Sequence, residues 1–242
     1  MKRFYVDFEL QLNNIYKITG IEHNHIKNVM RMKVGDEIIL VCGDEYDYMA
    51  RIEDLSKGET RVQIIGRELN IYNPVADVTV FQALVKSDNM SLIVQKLTEL
   101  GVKTFVPFES EFITSKDKFG KSGKLQDISN QSIKQCKRSI PMNVLNIITF
   151  NELIKSLGDY DKVIFANECD NVHSLNSIKF ASSDKVAIIV GSEGGFSQNE
   201  ISSIIDSGAY SISLGKRILR AETAAIALTS VIMCNMGEWN YE

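Results

Sequence analysis

Histidine, proline and cysteine are all scarce in this 242-residue chain, at three, three and four residues. No histidine falls in the C-terminal glycine-containing loops, so no imidazole is at hand to activate a serine there. Gly191-Ser-Glu-Gly194 also has Val190 where a nucleophile elbow needs glycine, and a serine hydrolase is therefore not expected. The cysteines, Cys42, Cys136, Cys169 and Cys234, stand far apart with no CxxC pair. Neither a zinc site nor a disulfide framework is suggested, and a reduced, intracellular thiol set is the favoured reading. A basic excess is missing too: 27 Lys and Arg against 31 Asp and Glu give a formal net charge of −4. Any nucleic-acid surface must then be local. Long apolar runs are absent. The stretch Thr223 to Gly237 is too short and too rich in Thr, Ser and Asn to span a bilayer, and reads as a buried helix. No apolar core follows the charges of Met1-Lys-Arg-Phe-Tyr-Val-Asp7, so no secretory leader is expected and the location reads as cytoplasmic. G-x-G-x-x-G occurs after no strand. Gly120-Lys121-Ser122 lacks the earlier glycine of a P-loop, since position 115 is Ser115. His23 and His25 are two residues apart and would not share a helix face, which argues against a metal pair and for surface or RNA-contacting groups.

What remains has two textures. The first seventy residues read as short strands: Phe4 to Phe8, Glu37 to Cys42, Tyr48 to Ile52 and Thr60 to Arg67, with a short helix at Ile21 to Met30. Turn signals between such strands point to a small barrel. Tyr72-Asn-Pro74 reads as a linker. From Asp77 onward strand and helix alternate, which predicts a parallel α/β sheet. Strands are expected at Val78 to Leu84, Val102 to Phe108, Lys162 to Ala166, Lys185 to Val190 and Tyr210 to Leu214. Helices are expected after Ser87, at Ser122 to Arg138, at Ser197 to Ser207 and from Ala221. The first of these places Met90, Ile93, Val94, Leu97 and Leu100 on one face, with Ser87 or Asp88 as its cap and Gly101 as its stop. Phe119-Gly-Lys-Ser-Gly-Lys124 is a candidate basic loop.

Two loops carry the chemistry. Ala187-Ile-Ile-Val-Gly-Ser-Glu-Gly-Gly-Phe196 runs from an apolar strand into a glycine turn, and Ser197 with Glu200 has capping-box spacing. Three glycines let backbone N–H and C=O groups approach a flat ligand. The turn alone is equally readable as a plain strand-to-helix connection. Ser213-Leu-Gly-Lys-Arg-Ile-Leu-Arg220 repeats the theme: Ile218 and Leu219 can wall an aromatic base, while Arg217 and Arg220 face polyanion or helix carboxylates. Arg220 is also readable as a salt-bridge partner of Glu222 or Glu193. Ala221-Glu-Thr-Ala-Ala225 then opens a helix of small residues suited to close packing, including at a dimer interface.

Together, Ile189-Val-Gly-Ser-Glu-Gly-Gly-Phe-Ser197 and Leu214-Gly-Lys-Arg-Ile-Leu-Arg-Ala-Glu-Thr-Ala-Ala225 resemble the signature loops of SPOUT-class methyltransferases. More narrowly, the chain resembles the ribosomal RNA small subunit methyltransferase E family. His25-Ile-Lys-Asn-Val-Met-Arg-Met-Lys-Val-Gly-Asp36, Gln95-Lys-Leu-Thr-Glu-Leu-Gly101 and Gln135-Cys-Lys-Arg138 resemble further elements of that family, in order. Ser192 and Lys216 stand where the family usually has proline, and Ala221 where it usually has threonine. The resemblance implies a PUA-like β-barrel over residues 1–71 and a SPOUT α/β domain with a trefoil knot over residues 72–242. It implies a homodimer that transfers a methyl group from S-adenosylmethionine to N3 of a uridine in 16S ribosomal RNA, as naked RNA or in the small subunit, without a metal. The implied cofactor set is Val190, Gly191, Glu193, Gly194, Gly195, Leu214, Gly215, Ile218, Leu219, Thr223 and Ala224. Arg220 and Glu222 are the candidate catalytic groups, with Glu222 the candidate proton acceptor. Arg3, His25, Arg31, Lys96, Arg138 and Arg217 are the candidate RNA contacts, Lys96 being equally readable as a solvated charge. Two rivals stay open: another SPOUT RNA methyltransferase, and a non-catalytic RNA-binding assembly factor.

Overall fold

A computed structural model of the chain describes residues 1–113, 122–167 and 175–240. Cys169 and the P-loop-like residues Ser115 to Lys121 lie outside the described residues, as does the basic loop up to Lys121. The chain divides into two compact units, Met1–Asn73 with Asn130–Pro141, and Pro74–Ser129 with Met142–Glu242.

The first unit carries β1 (Lys2–Tyr5), β2 (Ile15–Thr19), a short α1 (Gly20–Asn24), a π-helical turn (His25–Val29), β3 (Glu37–Val41), β4 (Tyr46–Leu55) and β5 (Glu59–Leu69). They form one five-stranded sheet in the order β1-β3-β4-β5-β2. β1 runs parallel to β3 and the other pairings are antiparallel. Alternation along the strands buries one face: Phe4, Ile38, Leu40, Ala50, Ile52, Val62 and Ile64 close over Ile26 of the π-helical turn. β2 escaped the sequence pattern because it is an edge strand whose Ile15 is 53% exposed. His23 is not at the surface. It is buried, with Nδ1 2.8 Å from Thr60 Oγ1.

The second unit adds β6 (Asp77–Ala83), α2 (Ser87–Leu100), β7 (Thr104–Glu109), α3 (Ser122–Cys136), β8 (Asn143–Val144), β9 (Ile148–Thr149), α4 (Phe150–Ser156), β10 (Lys162–Ala166), β11 (Lys185–Val190), α5 (Gln198–Asp206), β12 (Tyr210–Ile212) and α6 (Ala221–Asn235). The C-terminal part of α3, from Asn130, belongs to the first unit. The strands form a sheet in the order β12-β10-β11-β6-β7-β8, with β9 also on β7. Every pairing in it is parallel. β10 and β11 are apolar runs, and β6 is buried from Val78 to Ala83, because both sheet faces are covered. Val78, Val80, Ile188 and Val190 meet α2 and α6 on one face, while Phe81, Ala187 and Ile189 meet α4 and α5 on the other. α2 buries Met90, Ile93, Val94 and Leu97 and stops at Gly101 in the left-handed region (φ 99°). Its start differs from expectation: Lys86 is the N-cap, and neither Ser87 nor Asp88 caps it with a side chain. α6 is buried through Ala221, Ala225, Leu228, Ile232 and Met233.

Candidate active site

Because β10, β11 and β12 are parallel neighbours, the loops after β11 and β12 leave the same carboxyl edge of the sheet. Only β10 lies between them, so their strands are about 10 Å apart at the usual inter-strand spacing. The order also reverses here. The chain builds outward from β6 to β7 and β8, then returns to insert β11 between β6 and β10. Crevices at such a reversal are where open α/β sheets take ligands.

The turn after β11 is fixed on three sides. Gly191 O accepts from Gln82 Nε2 at 2.9 Å, across the register pair Val190–Gln82. Beyond it, Gly195 N donates to Ser192 O at 3.0 Å, closing a turn in which Gly195 sits at φ 71°. At Gly194 a Cβ would stand 2.6 Å from the carbonyl oxygen of Phe112, so only glycine fits. Ser197 and Glu200 form the expected capping box at the start of α5. The second Glu200 oxygen accepts from Glu111 N at 2.9 Å. Phe196 anchors the turn from beneath, edge-on to Phe165 (centroids 5.1 Å apart) and stacked on Phe108 (6.3 Å). Glu193 is exposed and reaches α2, where Lys86 N (3.3 Å) and Asn89 Nδ2 (3.5 Å) donate to it. A carboxylate there complements the positive end of that helix. It ties the turn to the β6–α2 connection.

The turn after β12 is more open. Gly215 lies at φ 104°, and Ser213 Oγ donates to Gly215 O at 3.2 Å. Leu214 and Leu219 are half-buried, Lys216 and Arg217 exposed, and Ile218 is 81% exposed. An isoleucine so placed has surface to cover on binding. Arg220 is the N-cap of α6, with its side chain 85% exposed and its guanidinium 3.9 Å from Glu222 Oε1. In the first turn of α6, Glu222 is buried, Thr223 exposed and Ala224 half-buried.

Gln82 Oε1 and Glu222 Oε2, both buried at this edge, have no hydrogen-bond partner among the described residues, and neither has Ser110 Oγ just past the end of β7. Buried acceptors are normally satisfied, and an orphan at a ligand edge asks for a donor. The sequence pattern does not single out Gln82. Its only signal was an amide inside the apolar run Val78 to Leu84.

Three comparisons with known proteins bear on this edge. A family model described as an RNA methyltransferase domain matches residues 72–233, and one described as an RNA methyltransferase PUA domain matches residues 18–65. Ribosomal RNA small subunit methyltransferase E of Mesomycoplasma hyopneumoniae is 30% identical, over 94% of this chain and 97% of that protein. The chain belongs to this methyltransferase family. The protein of the same name from Bacillus subtilis is 28% identical over 96% of each chain. Among solved structures, the Neisseria gonorrhoeae member, bound to S-adenosylmethionine, superposes with a TM-score of 0.90 at 26% identity, covering 99% of this chain and 100% of that one. A Legionella pneumophila methyltransferase in complex with the same cofactor gives 0.89 at 27% identity over 96% of each chain. The architecture is thus a PUA-like β unit with a parallel α/β RNA methyltransferase unit.

The structure gathers the predicted cofactor residues, with Arg217, Arg220 and Glu222, on the two turns and the start of α6. The remaining RNA candidates are placed elsewhere. Lys96, on α2, is bound 3.0 Å from both Glu99 oxygens. In the first unit, Arg3 makes a two-pronged ion pair with Asp47, with side chains 7% and 6% exposed. His25 meets Phe4 edge-on (5.6 Å) in the π-helical turn, Arg31 is exposed at φ 54°, and Arg138 is 3% exposed. Among the described residues no three His, Cys, Asp or Glu side chains gather as metal ligands, and no helix is long and apolar enough to cross a membrane.

Proposed function

We propose that this chain transfers a methyl group from S-adenosylmethionine to N3 of a uridine in 16S ribosomal RNA of the small subunit. In this reading it acts in the cytoplasm as a homodimer whose cofactor turns are held by a trefoil knot. The observation that carries the reading is one sheet edge holding two glycine turns and two unfilled buried acceptors, Gln82 Oε1 and Glu222 Oε2. The fit to the cofactor is chemical. S-adenosylmethionine is cationic and carries amino donors, and the edge offers carbonyl and carboxylate oxygens with little side-chain bulk in the way.

When bound, the cofactor supplies a methyl group already activated on a positive sulfur. The chain's own residues do the rest. Backbone from Val190 to Gly195 and from Leu214 to Leu219 forms the walls, with Thr223 and Ala224 closing the end. Glu193 and Gln82 Nε2 hold the first turn in place, which leaves Gln82 Oε1 to accept from a ligand donor. Such alignment of donor and acceptor is worth several kcal/mol of the barrier. N3 lies on the pairing edge of uracil, so the target must be unpaired or flipped out. Arg217 and Arg220, both exposed, meet its phosphate or carbonyl oxygens. Glu222, whose buried Oε2 has no partner among the described residues, accepts the N3 proton.

The test is methylation of small subunits and of naked 16S RNA with labelled cofactor, followed by mapping of the modified base, with calorimetry of cofactor binding alongside. Label at uridine N3 is expected. Label on another atom or another RNA overturns the substrate assignment, and no heat of cofactor binding overturns the enzyme.

A further inference from the structure

A cavity of about 630 Å³ lies within the first unit. Its lining includes Lys2, Tyr72, Gln131, Lys134, Gln135 and Lys137. In a chain of net charge −4, four cations (Arg3 is the fourth) and two carboxylates, Asp47 and Glu68, face it. Its volume falls in the range of small-ligand sites.

The wall is built rather than incidental. Lys137, just past the end of α3, sits at φ 68°, a left-handed conformation that a lysine enters only at a cost. Asn70 Nδ2 holds it there, donating to Lys137 O at 2.8 Å and to Asp47 Oδ1 at 2.7 Å. Asp47 is in turn locked to Arg3. The Lys137 ammonium lies over the ring of Tyr72, 5.1 Å from its centroid. Tyr72 stays 47% exposed in the segment after β5, so its ring offers surface for stacking. A second anchor fixes the opposite wall. Glu22 accepts from Lys134 Nζ at 2.7 Å and from Gln131 Nε2 at 3.3 Å. Gln135 is four residues beyond Gln131 and shares its face of α3. His25 joins the lining from the π-helical turn, a feature that concentrates at functional sites.

We propose that this cavity seats one unpaired RNA nucleotide, its base stacked on Tyr72 and its phosphate between Lys2 and Lys137. Gln135 and Glu68 then face the base edge, where an amide and a carboxylate accept from amino and imino groups. Duplex RNA hides base faces, whereas a single strand offers them to aromatic side chains. Arg3, an obvious RNA contact in the sequence, serves as the floor that positions Lys137. The inference rests on the RNA-substrate reading above, but not on which atom is methylated.

The experiment is fluorescence anisotropy of the full chain with a labelled 12-nucleotide single strand of 16S sequence, its duplex, and free UMP as competitor. Tyr72→Ala should weaken single-strand binding about tenfold, within the range found for a stacked base. Tyr72→Phe should bind like the parent. Lys137→Gly keeps the left-handed backbone without strain, so it folds. It should weaken binding at low salt and reduce the salt dependence by about 0.7 in log–log slope, the value for one single-strand phosphate contact. Wild-type affinity in both Tyr72→Ala and Lys137→Gly overturns the proposal. So does an equal Tyr72 effect on duplex, free UMP binding more tightly than the oligomer, or no RNA binding by the parent. Failure of the methyl-transfer reading is separate: Tyr72-dependent RNA binding would persist while cofactor heat or label at N3 was missing.

Discussion

Replacing Gly194 with alanine places a methyl group where its carbon would stand 2.6 Å from Phe112 O and 2.9 Å from Phe112 Cβ. Neither atom is the free end of a flexible chain. The backbone at 111–112 is pinned twice, by Glu111 N donating to Glu200 and by Ser192 Oγ donating to Phe112 O at 3.4 Å. The turn must move instead, by close to 1 Å, and overpacking of this kind costs about 1–3 kcal/mol. At about 2 kcal/mol the melting temperature of a domain this size falls by about 4–8 °C. Cofactor affinity should fall with it, because the displaced amides are the proposed wall. Gly195 is the control. Nothing lies within 4 Å of its Cβ position, but its φ is 71°. Gly195→Ala therefore costs only left-handed strain, about 1–2 kcal/mol. Asparagine, which tolerates that region, should recover part of it at 195 and none at 194. Scanning fluorimetry and cofactor calorimetry on the four variants decide the matter. A Gly194→Ala protein with parental melting temperature and cofactor affinity would refute the close approach of Phe112 to the turn.

Other outcomes follow from the same geometry. Arg220→Ala, at a side chain 85% exposed, should leave stability within about 0.5 kcal/mol and cofactor affinity nearly unchanged, while single-turnover methylation collapses. Unchanged turnover would reject its role. Glu222→Gln keeps the shape of a buried side chain but removes its basicity, so the methylation rate should drop by about 10²–10⁴-fold without loss of melting temperature. A rate within threefold of the parent would assign the proton to another acceptor. Burial, reinforced by Asp44, pushes the Cys42 thiol up to about 11. The proton is thus held more tightly in the folded chain, and at pH 8 only about one molecule in a thousand carries the thiolate. Iodoacetamide labelling of Cys42, read by mass spectrometry, should rise about tenfold per pH unit from 8 to 10, and a plateau near pH 9 would contradict its burial.

Local pattern was most reliable where one interaction dominates. β10 and β11 have the bounds expected, because an uninterrupted apolar run between turn residues has little choice but a doubly covered strand. The buried face of α2 and the capping box of α5 were equally legible, being set by spacing alone. Edge strand β2 was not, since half-exposed residues leave no alternation to read. Side-chain partners were illegible for a different reason. The partner of Arg3, Asp47, lies 44 positions away, and His23 reads as a surface group in the sequence but is buried against Thr60. Gln82 is invisible in the sequence because one amide in an apolar strand carries no periodic signal.

The order of residues thus settled the two-part architecture, the glycine turns and the family, because each depends on composition and near-neighbour spacing. Folding settled which of those residues are occupied and which remain open. It aligned the two turns on one sheet edge, left Gln82 and Glu222 each with an unmet buried oxygen, and bent Lys137 over Tyr72. Such pairings join residues tens of positions apart, and no local rule encodes who meets whom across that distance.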